Sequence, residues 1–90
     1  MVNAVLIKSS DTVATATEPI MAGAAASFME NGEVKTVIVI HNIPIYHKFA
    51  VKDKAKGEYV YKYGEKIGYA LKEIKVGDYV HTHNLGSVKA

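Results

Sequence analysis

Apolar and polar residues alternate along most of this chain, which is the period-two pattern of β-strands. Residues 4–8, AVLIK, form a short apolar run, and residues 12–16, TVATA, alternate β-branched with small side chains. Residues 9–11, two serines and an aspartate, are typical of the turn between two such strands. The pattern therefore predicts that the chain begins with two short strands.

The pair Asn31-Gly32 is the favoured sequence for a two-residue type I′ hairpin turn. Residues 34–40, VKTVIVI, follow it and predict the strongest strand of the chain. Residues 23–30 precede it and are rich in alanine, which by intrinsic propensity favours a helix. Because a hairpin turn joins two strands, we predict a strand here as well.

Two later segments share the order glycine, acidic residue, tyrosine, valine, at residues 57–60 and 77–80. Each glycine marks a turn and each Tyr-Val pair begins a strand. The repeat is either a functional duplication or one turn-to-strand solution used twice, and we favour the second interpretation. Turn residues recur along the whole chain, and after Pro44 residues 46–53 resume as a strand. The pattern predicts a compact all-β fold of many short strands.

Length and composition limit the number of domains, the kinds of site and the partners that this chain can have. The 90 residues are enough for one domain, predicted over residues 1–90, with a core too thin for a deep active site of its own. The absence of cysteine excludes disulfides and zinc–thiolate sites. The net charge of +2 comes from lysines interleaved with acidic residues, without arginine, which argues against a nucleic-acid partner. With no signal-peptide pattern and no long apolar run, we expect a cytoplasmic protein that does not enter a membrane.

Four histidines are the first candidates for chemistry, and two of them, His81 and His83, are two residues apart. On a regular strand such residues point to the same face, where both imidazoles can converge on a metal ion or ligand. Asn84 would then point to the other face, or else cap the end of the strand. The alternative is a solvated pair, because a complete metal site would also need His47, a carboxylate or another chain.

Two further segments offer polar groups for an acidic substrate. His47 can transfer protons near neutral pH and Lys48 can hold a carboxylate, unless His47 is a hydrogen-bonded turn residue and Lys48 a surface charge. Lys62 and Tyr63 can present a cation and a phenol to an anionic sugar acid, unless the tyrosine packs in the core. We expect the tyrosines to form the wall of a small β core. They are Tyr46, Tyr59, Tyr61, Tyr63, Tyr69 and Tyr79.

Four motifs follow one another along the second half of the chain. They are Ile-Pro with His-Lys at residues 43–48, Lys-Tyr-Gly at 62–64, Ile-Gly at 67–68, and Gly-Asp-Tyr-Val-His-Thr-His-Asn at 77–84. Their order and spacing resemble the small SAF-type domain of the altronate and galactarate dehydratase family, which is also the small subunit of sulfolactate sulfo-lyase. Residues 11–16, DTVATA, resemble the first motif of that family. Tyr46 departs from the pattern, because the family usually has glycine there, and this departure bears on substrate identity.

The resemblance implies a β-clip fold, a bent two-stranded ribbon with short strands. It also implies a lyase that eliminates water, or sulfite, from a small hydroxylated acid. Family members depend on a divalent metal, typically iron or manganese. They join the small domain to a much larger catalytic part, either as C-terminal domains or as a separate subunit. We therefore expect this chain to be inactive alone.

The same resemblance suggests roles for seven residues. His81 and His83 would bind metal or protonate the leaving group, and His47 would join them as a catalytic residue. Lys48 would neutralise the acid. Asn84, Lys62 and Tyr63 would contact the substrate.

Two other readings stay open. The chain could be a free-standing SAF-type ligand-binding module, since a fold alone does not give a function. It could also be a general metal-binding β domain. In addition, a ribbon with exposed edges could pair with a second copy to form a homodimer.

Overall fold

The computed structural model describes residues 2–87, and within them the chain forms strands and no helix. All strand pairs are antiparallel and form three small sheets, in the orders β1-β2-β5-β8, β3-β4 and β6-β7-β9. The strands are β1 (Ala4–Val5), β2 (Val13–Ala16), β3 (Ala25–Glu30), β4 (Glu33–Ile38), β5 (Lys48–Ala50), β6 (Tyr59–Lys62), β7 (Glu65–Ala70), β8 (Tyr79–Val80) and β9 (Leu85–Ser87). The predicted all-β fold of many short strands is confirmed. No helix in the described part of the chain could cross a membrane.

The predicted hairpin is confirmed in the β3–β4 ribbon. Asn31 and Gly32 have φ angles of 52° and 81°, the positive values that both central residues of a type I′ turn adopt. The alanine-rich segment is a strand because it pairs with β4 throughout, and its inner face buries Ala26 and Phe28. The strongest predicted strand ends at Ile38, two residues before the expected end.

A repeating unit accounts for most of the remaining chain, at residues 16–26, 39–49, 50–60 and 70–80. The units pair through isolated bridges, Ile20 with Ile43 and Lys54 with Ile74, and we call these four the bridge residues. Three residues later each unit has a residue of positive φ, which we call the turn residue. The turn residues are Gly23, Tyr46, Gly57 and Gly77.

Each turn residue is held by the same backbone hydrogen bond. Its N–H donates to the carbonyl of the first residue of the paired unit, and the N–O distance is 2.8 Å in all four cases. The first residue of every unit is buried, and so is the last. The Gly-acidic-Tyr-Val repeat is therefore one turn that leads into a strand and is used twice, which is the interpretation we favoured. The same backbone turn occurs in all four units.

Among residues 2–87 the core consists of two apolar clusters, and none of its fully buried residues is a tyrosine. Phe28 and Phe49 pack together in the first cluster, with ring centroids 6.4 Å apart. The second cluster is aliphatic and includes Val60, Ile74 and Val80. The expectation that the tyrosines wall the core holds for the half-buried Tyr79, which packs against the first cluster. It is wrong for four of the others, because Tyr46, Tyr59, Tyr63 and Tyr69 are exposed.

A buried carboxylate joins the turn before β2 to the turn between β6 and β7. Asp11 is 1% exposed and accepts hydrogen bonds from the backbone N–H groups of Tyr63 (2.9 Å), Gly64 (2.8 Å) and Lys8 (3.2 Å). Tyr63 and Gly64 have φ angles of 58° and 78° and form the β6–β7 turn. The Lys-Tyr-Gly motif is thus first of all a structural partner of the DTVATA motif.

Candidate functional site

The histidine motif does not continue strand β8, which ends at Val80. Residues 81–84 form a turn that Asn84 closes, because its Oδ1 accepts from the His81 N–H (3.0 Å) and its Nδ2 donates to the Tyr79 carbonyl (2.9 Å). The expectation of a regular strand with His81 and His83 on one face is therefore wrong. The alternative, that Asn84 caps the strand, is confirmed. Since Asn84 is only 3% exposed, its amide serves the fold, and its predicted substrate contact stays untested.

The turn brings three histidines around one tyrosine. The Nδ1 of His47 lies 2.6 Å from the hydroxyl oxygen of Tyr79. The Tyr79 ring stacks on His81, with centroids 5.6 Å apart and planes inclined by 13°, and lies 5.6 Å from the ring of His83. The rings of His47 and His81 are themselves 5.3 Å apart. The predicted catalytic residues therefore cluster, although by a different route from the one expected.

Position within the repeating unit explains why His47 is available for this cluster. In two other units the residue after the turn residue is acidic. Its side chain accepts a hydrogen bond from a backbone N–H, that of the residue that follows the bridge residue. Glu58 accepts from Ala55 (2.7 Å) in this way, and Asp78 accepts from Lys75 (2.8 Å). In the unit of His47 the corresponding residue is Pro44, which has no N–H to satisfy. His47 can therefore turn away to Tyr79.

An open pocket with a volume of about 160 Å³ lies beside the histidine cluster. It brings Lys48 and His81 to one cavity, together with residues of β7 and β9. Those two strands approach closely because Gly68 has no side chain, since a Cβ there would lie 2.2 Å from the Gly86 carbonyl oxygen. The Ile-Gly motif thus shapes the pocket wall. The lining residues are Lys48, Ile67, His81, Thr82, Leu85, Gly86 and Ser87.

The electrostatics of the pocket favour an anion. Lys48 is half-buried, and burial, followed by the positive charge of Lys62, lowers the pKa of its ammonium group. Within residues 2–87 no carboxylate forms an ion pair with Lys48. A carboxylate ligand would supply the missing negative charge. Lys48 is thus not the fully solvated surface charge of the alternative reading.

The remaining candidates, Lys62, Tyr63 and His83, are not among the residues that line this pocket. The ammonium of Lys62 lies 4.9 Å from the centroid of the Tyr63 ring, and Tyr63 is 52% exposed instead of packing in the core. Partial burial, then the charges of Lys72 and His41, lower the pKa of the exposed His83. The fourth histidine, His41, has its Nδ1 3.7 Å from Oδ1 of Asp78.

The donor set does not complete a metal site in this part of the chain. Among residues 2–87 no group of three or more histidine, aspartate or glutamate side chains is placed to hold a metal ion. His81 and His83 as metal ligands, with iron or manganese as the metal, therefore stay predictions from the resemblance.

The residue of this cluster that the sequence did not single out is Tyr79, which contacts His47, His81 and His83. It was counted among the core tyrosines, and its one distinguishing feature was its place two residues before His81. Its contact with His47 joins residues 32 positions apart in the chain, which no local pattern indicates.

The all-β fold and the four sequence motifs are those expected of an SAF domain. The model of the altronate/galactarate dehydratase SAF domain matches residues 2–88. The chain belongs to this family, as its sequence motifs suggested.

Individual relatives agree with this assignment. The chain is 42% identical to altronate dehydratase of Escherichia coli K12 over 78 residues, which is 87% of this chain and 15% of that protein. It is 46% identical to (2R)-sulfolactate sulfo-lyase subunit alpha of Chromohalobacter salexigens and 49% identical to that of Paracoccus pantotrophus, each over 43 residues. Those matches cover 48% of this chain and 46% and 64% of the two subunits. The chain therefore spans only part of each of these relatives.

Proposed function

We propose that this chain is the small SAF part of a hydroxyacid dehydratase that acts on an altronate-like sugar acid together with a larger catalytic part. The observation that carries the proposal is the meeting of Lys48 and His81 in one pocket beside His47 and Tyr79. The relative matched over most of this chain is an altronate dehydratase, and 85% of that protein lies outside the match, since the match covers 15% of it.

In this proposal the pocket forms one wall of the active site. The ammonium of Lys48 holds the substrate carboxylate, and Lys62 adds positive potential from nearby. The imidazoles of His47, His81 and His83 face the hydroxylated carbons. Elimination needs a base for the α-proton and assistance to the leaving hydroxyl, and the larger part completes that set. A divalent metal, iron or manganese, would be held mainly by the larger part.

A second candidate function is that of a sulfo-lyase small subunit, which eliminates sulfite from sulfolactate. The observation that favours it is the match of 46–49% identity over 43 residues to proteins named as alpha subunits. The two functions share the carboxylate pocket and differ in the leaving group. They also differ in how the larger part is encoded.

The test is native purification of this chain, followed by mass spectrometry of what co-purifies and assays on sugar acids and on sulfolactate. The proposal expects a stoichiometric partner, or a longer form of the same chain, several times larger than 9.8 kDa. It also expects release of water from a sugar acid. Release of sulfite from sulfolactate alone would select the second function. A chain that purifies alone, without either activity, would refute both.

His83→Ala tests the histidine turn within that assembly. Because the His83 side chain is exposed, its removal should leave the fold intact. We expect activity to fall at least a hundredfold, the usual scale for loss of an acid–base group. Full activity in the variant would make the turn a structural feature only.

A further inference from the structure

The contact between Tyr79 and His47 is the best-defined polar contact in the histidine cluster. The oxygen–nitrogen distance of 2.6 Å is short for a bond between neutral groups, and both residues are half-buried. Strand pairing fixes the backbone of Tyr79, which lies opposite the fully buried Phe49, and stacking on His81 fixes its ring. The phenol is thus held in place before any ligand binds.

The chemistry of the two groups gives the direction of this hydrogen bond. A phenol is a much stronger acid than the N–H of a neutral imidazole, and an unprotonated imidazole nitrogen is a good acceptor. The hydroxyl of Tyr79 therefore donates to Nδ1 of His47. Because neutral imidazole carries one N–H, the proton of His47 then lies on Nε2.

We propose that Tyr79 is a positioning residue, which holds His47 as the neutral tautomer with an Nε2–H that donates to an oxygen of the hydroxyacid. This inference rests on the proposed function. In that role His47 stabilises negative charge that develops on the substrate oxygen, as a preorganised donor does. It does not remove the α-proton, and it does not bind metal through Nε2. No proton is transferred in this step, so the base belongs to another group.

The hydrogen bond itself can be tested on the 90-residue chain without substrate, by ¹⁵N NMR of the histidine rings. Spectra are recorded above the ordinary histidine pKa of about 6.5. We expect Nε2 of His47 to be the protonated nitrogen and Nδ1 to show the shift of a hydrogen-bonded acceptor. Tyr79→Phe should abolish that shift and mix the two tautomers. Tyr59→Phe is the matched control, because Tyr59 is exposed and contacts Lys66 instead.

Two results in these spectra would overturn the inference. One is a proton on Nδ1 of His47 in the wild-type chain. The other is an unchanged tautomer in Tyr79→Phe. Since neither result depends on any activity, the inference can fail while the proposed function stands.

Activity of the assembled enzyme separates a donor from a base. His47→Gln keeps an N–H donor but has no basic nitrogen, whereas His47→Ala has neither. We expect kcat/KM of His47→Gln to exceed that of His47→Ala by at least about tenfold, the value of one well-placed hydrogen bond. Tyr79→Phe should lower kcat by about the same factor. Equal loss in the glutamine and alanine variants would show that His47 is not a donor.

Discussion

In the unit at residues 50–60 the side chain after the turn residue makes a hydrogen bond within its own turn. In the unit at residues 39–49 the corresponding side chain is part of the histidine cluster. Glu58 accepts the N–H of Ala55 and so completes its own turn. His47 occupies the same place, but Pro44 leaves no N–H to accept, and His47 bonds to Tyr79. The backbone path is the same in both units. Because Pro44 has no N–H to cap, the side chain that follows the turn residue can contact Tyr79 instead.

The turn residues extend this comparison. Three are glycines, which adopt positive φ without steric cost, and the fourth is Tyr46 with φ of 67°. Its side chain is 73% exposed, so burial within the described part of the chain does little to offset the strained backbone. The unit that carries His47 and Lys48 thus tolerates strain that the other three units avoid. Strained residues often lie at functional sites.

Substitution at two of the glycine turns should show the largest difference in stability. Gly77 has φ of 94°, and a Cβ there would lie 2.4 Å from the Ile38 carbonyl oxygen, whereas a Cβ at Gly57 would meet nothing within 4 Å. We expect Gly77→Ala to lower the free energy of unfolding by about 3 kcal/mol, from backbone strain plus overpacking. Gly57→Ala should cost about 1–2 kcal/mol, from strain alone. Urea denaturation of both variants measures the difference, and equal losses would contradict it.

The capping role of the acidic residue predicts a smaller effect. Glu58→Ala leaves the N–H of Ala55 without its acceptor, and we expect a loss of about 1 kcal/mol. Glu65→Ala is the control, because Glu65 is an exposed residue of β7. Urea denaturation should show the loss in the first variant only.

A double-mutant cycle tests whether Pro44 is what frees His47. His47→Asp alone places an acceptor where there is no N–H, and Pro44→Ala alone creates an N–H without an acceptor. Together the two changes restore the turn of the other units. The cycle should therefore show a favourable coupling of about 1 kcal/mol between the two positions. Additive effects would mean that the comparison between the units is incorrect.

Relief of backbone strain at Tyr46 should change the free energy of unfolding by less, and in the opposite direction. Tyr46→Gly removes the cost of positive φ but adds disorder to the unfolded chain, so we expect a net gain of about 0.5–1 kcal/mol. The melting temperature would rise by about 4 °C. Gly57→Tyr, the reverse change at an uncrowded turn, should lower it. A melting temperature that falls in Tyr46→Gly would show that the tyrosine side chain stabilises the fold.

The smallest effect concerns the charge of Lys48. Burial and then Lys62 lower its pKa below the ordinary value of 10.5, so the unfolded chain binds more protons there than the folded chain. This group therefore makes folding more favourable as pH rises from the lowered pKa toward 10.5. Lys62→Met should raise the pKa of Lys48, and NMR titration of the lysine side chains measures it. Lys66→Met, which removes a lysine that lies over Tyr59, should leave it unchanged.

Local chemistry made the secondary structure predictable, and distant contacts made the site less so. Asn31-Gly32 predicted the hairpin because the turn type depends on those two residues alone. The sequence indicated the capping role of Asn84 only as an alternative, because alternation suggested a strand where Asn84 folds back on His81. The contact of His47 with Tyr79 depends on the pairing of β5 with β8, which is set by the whole sheet.

If the pocket at Lys48 binds the carboxylate of a hydroxyacid, as we propose, the KM of the assembled enzyme depends on Lys48. Lys48→Ala should raise KM for the sugar acid by at least about tenfold, because a hydrogen bond to a charged group contributes about 1.5–3 kcal/mol. Lys35→Ala, which removes a lysine paired with Glu33 on the ribbon, should leave KM unchanged. An unchanged KM in Lys48→Ala would mean that the acid does not bind in this pocket.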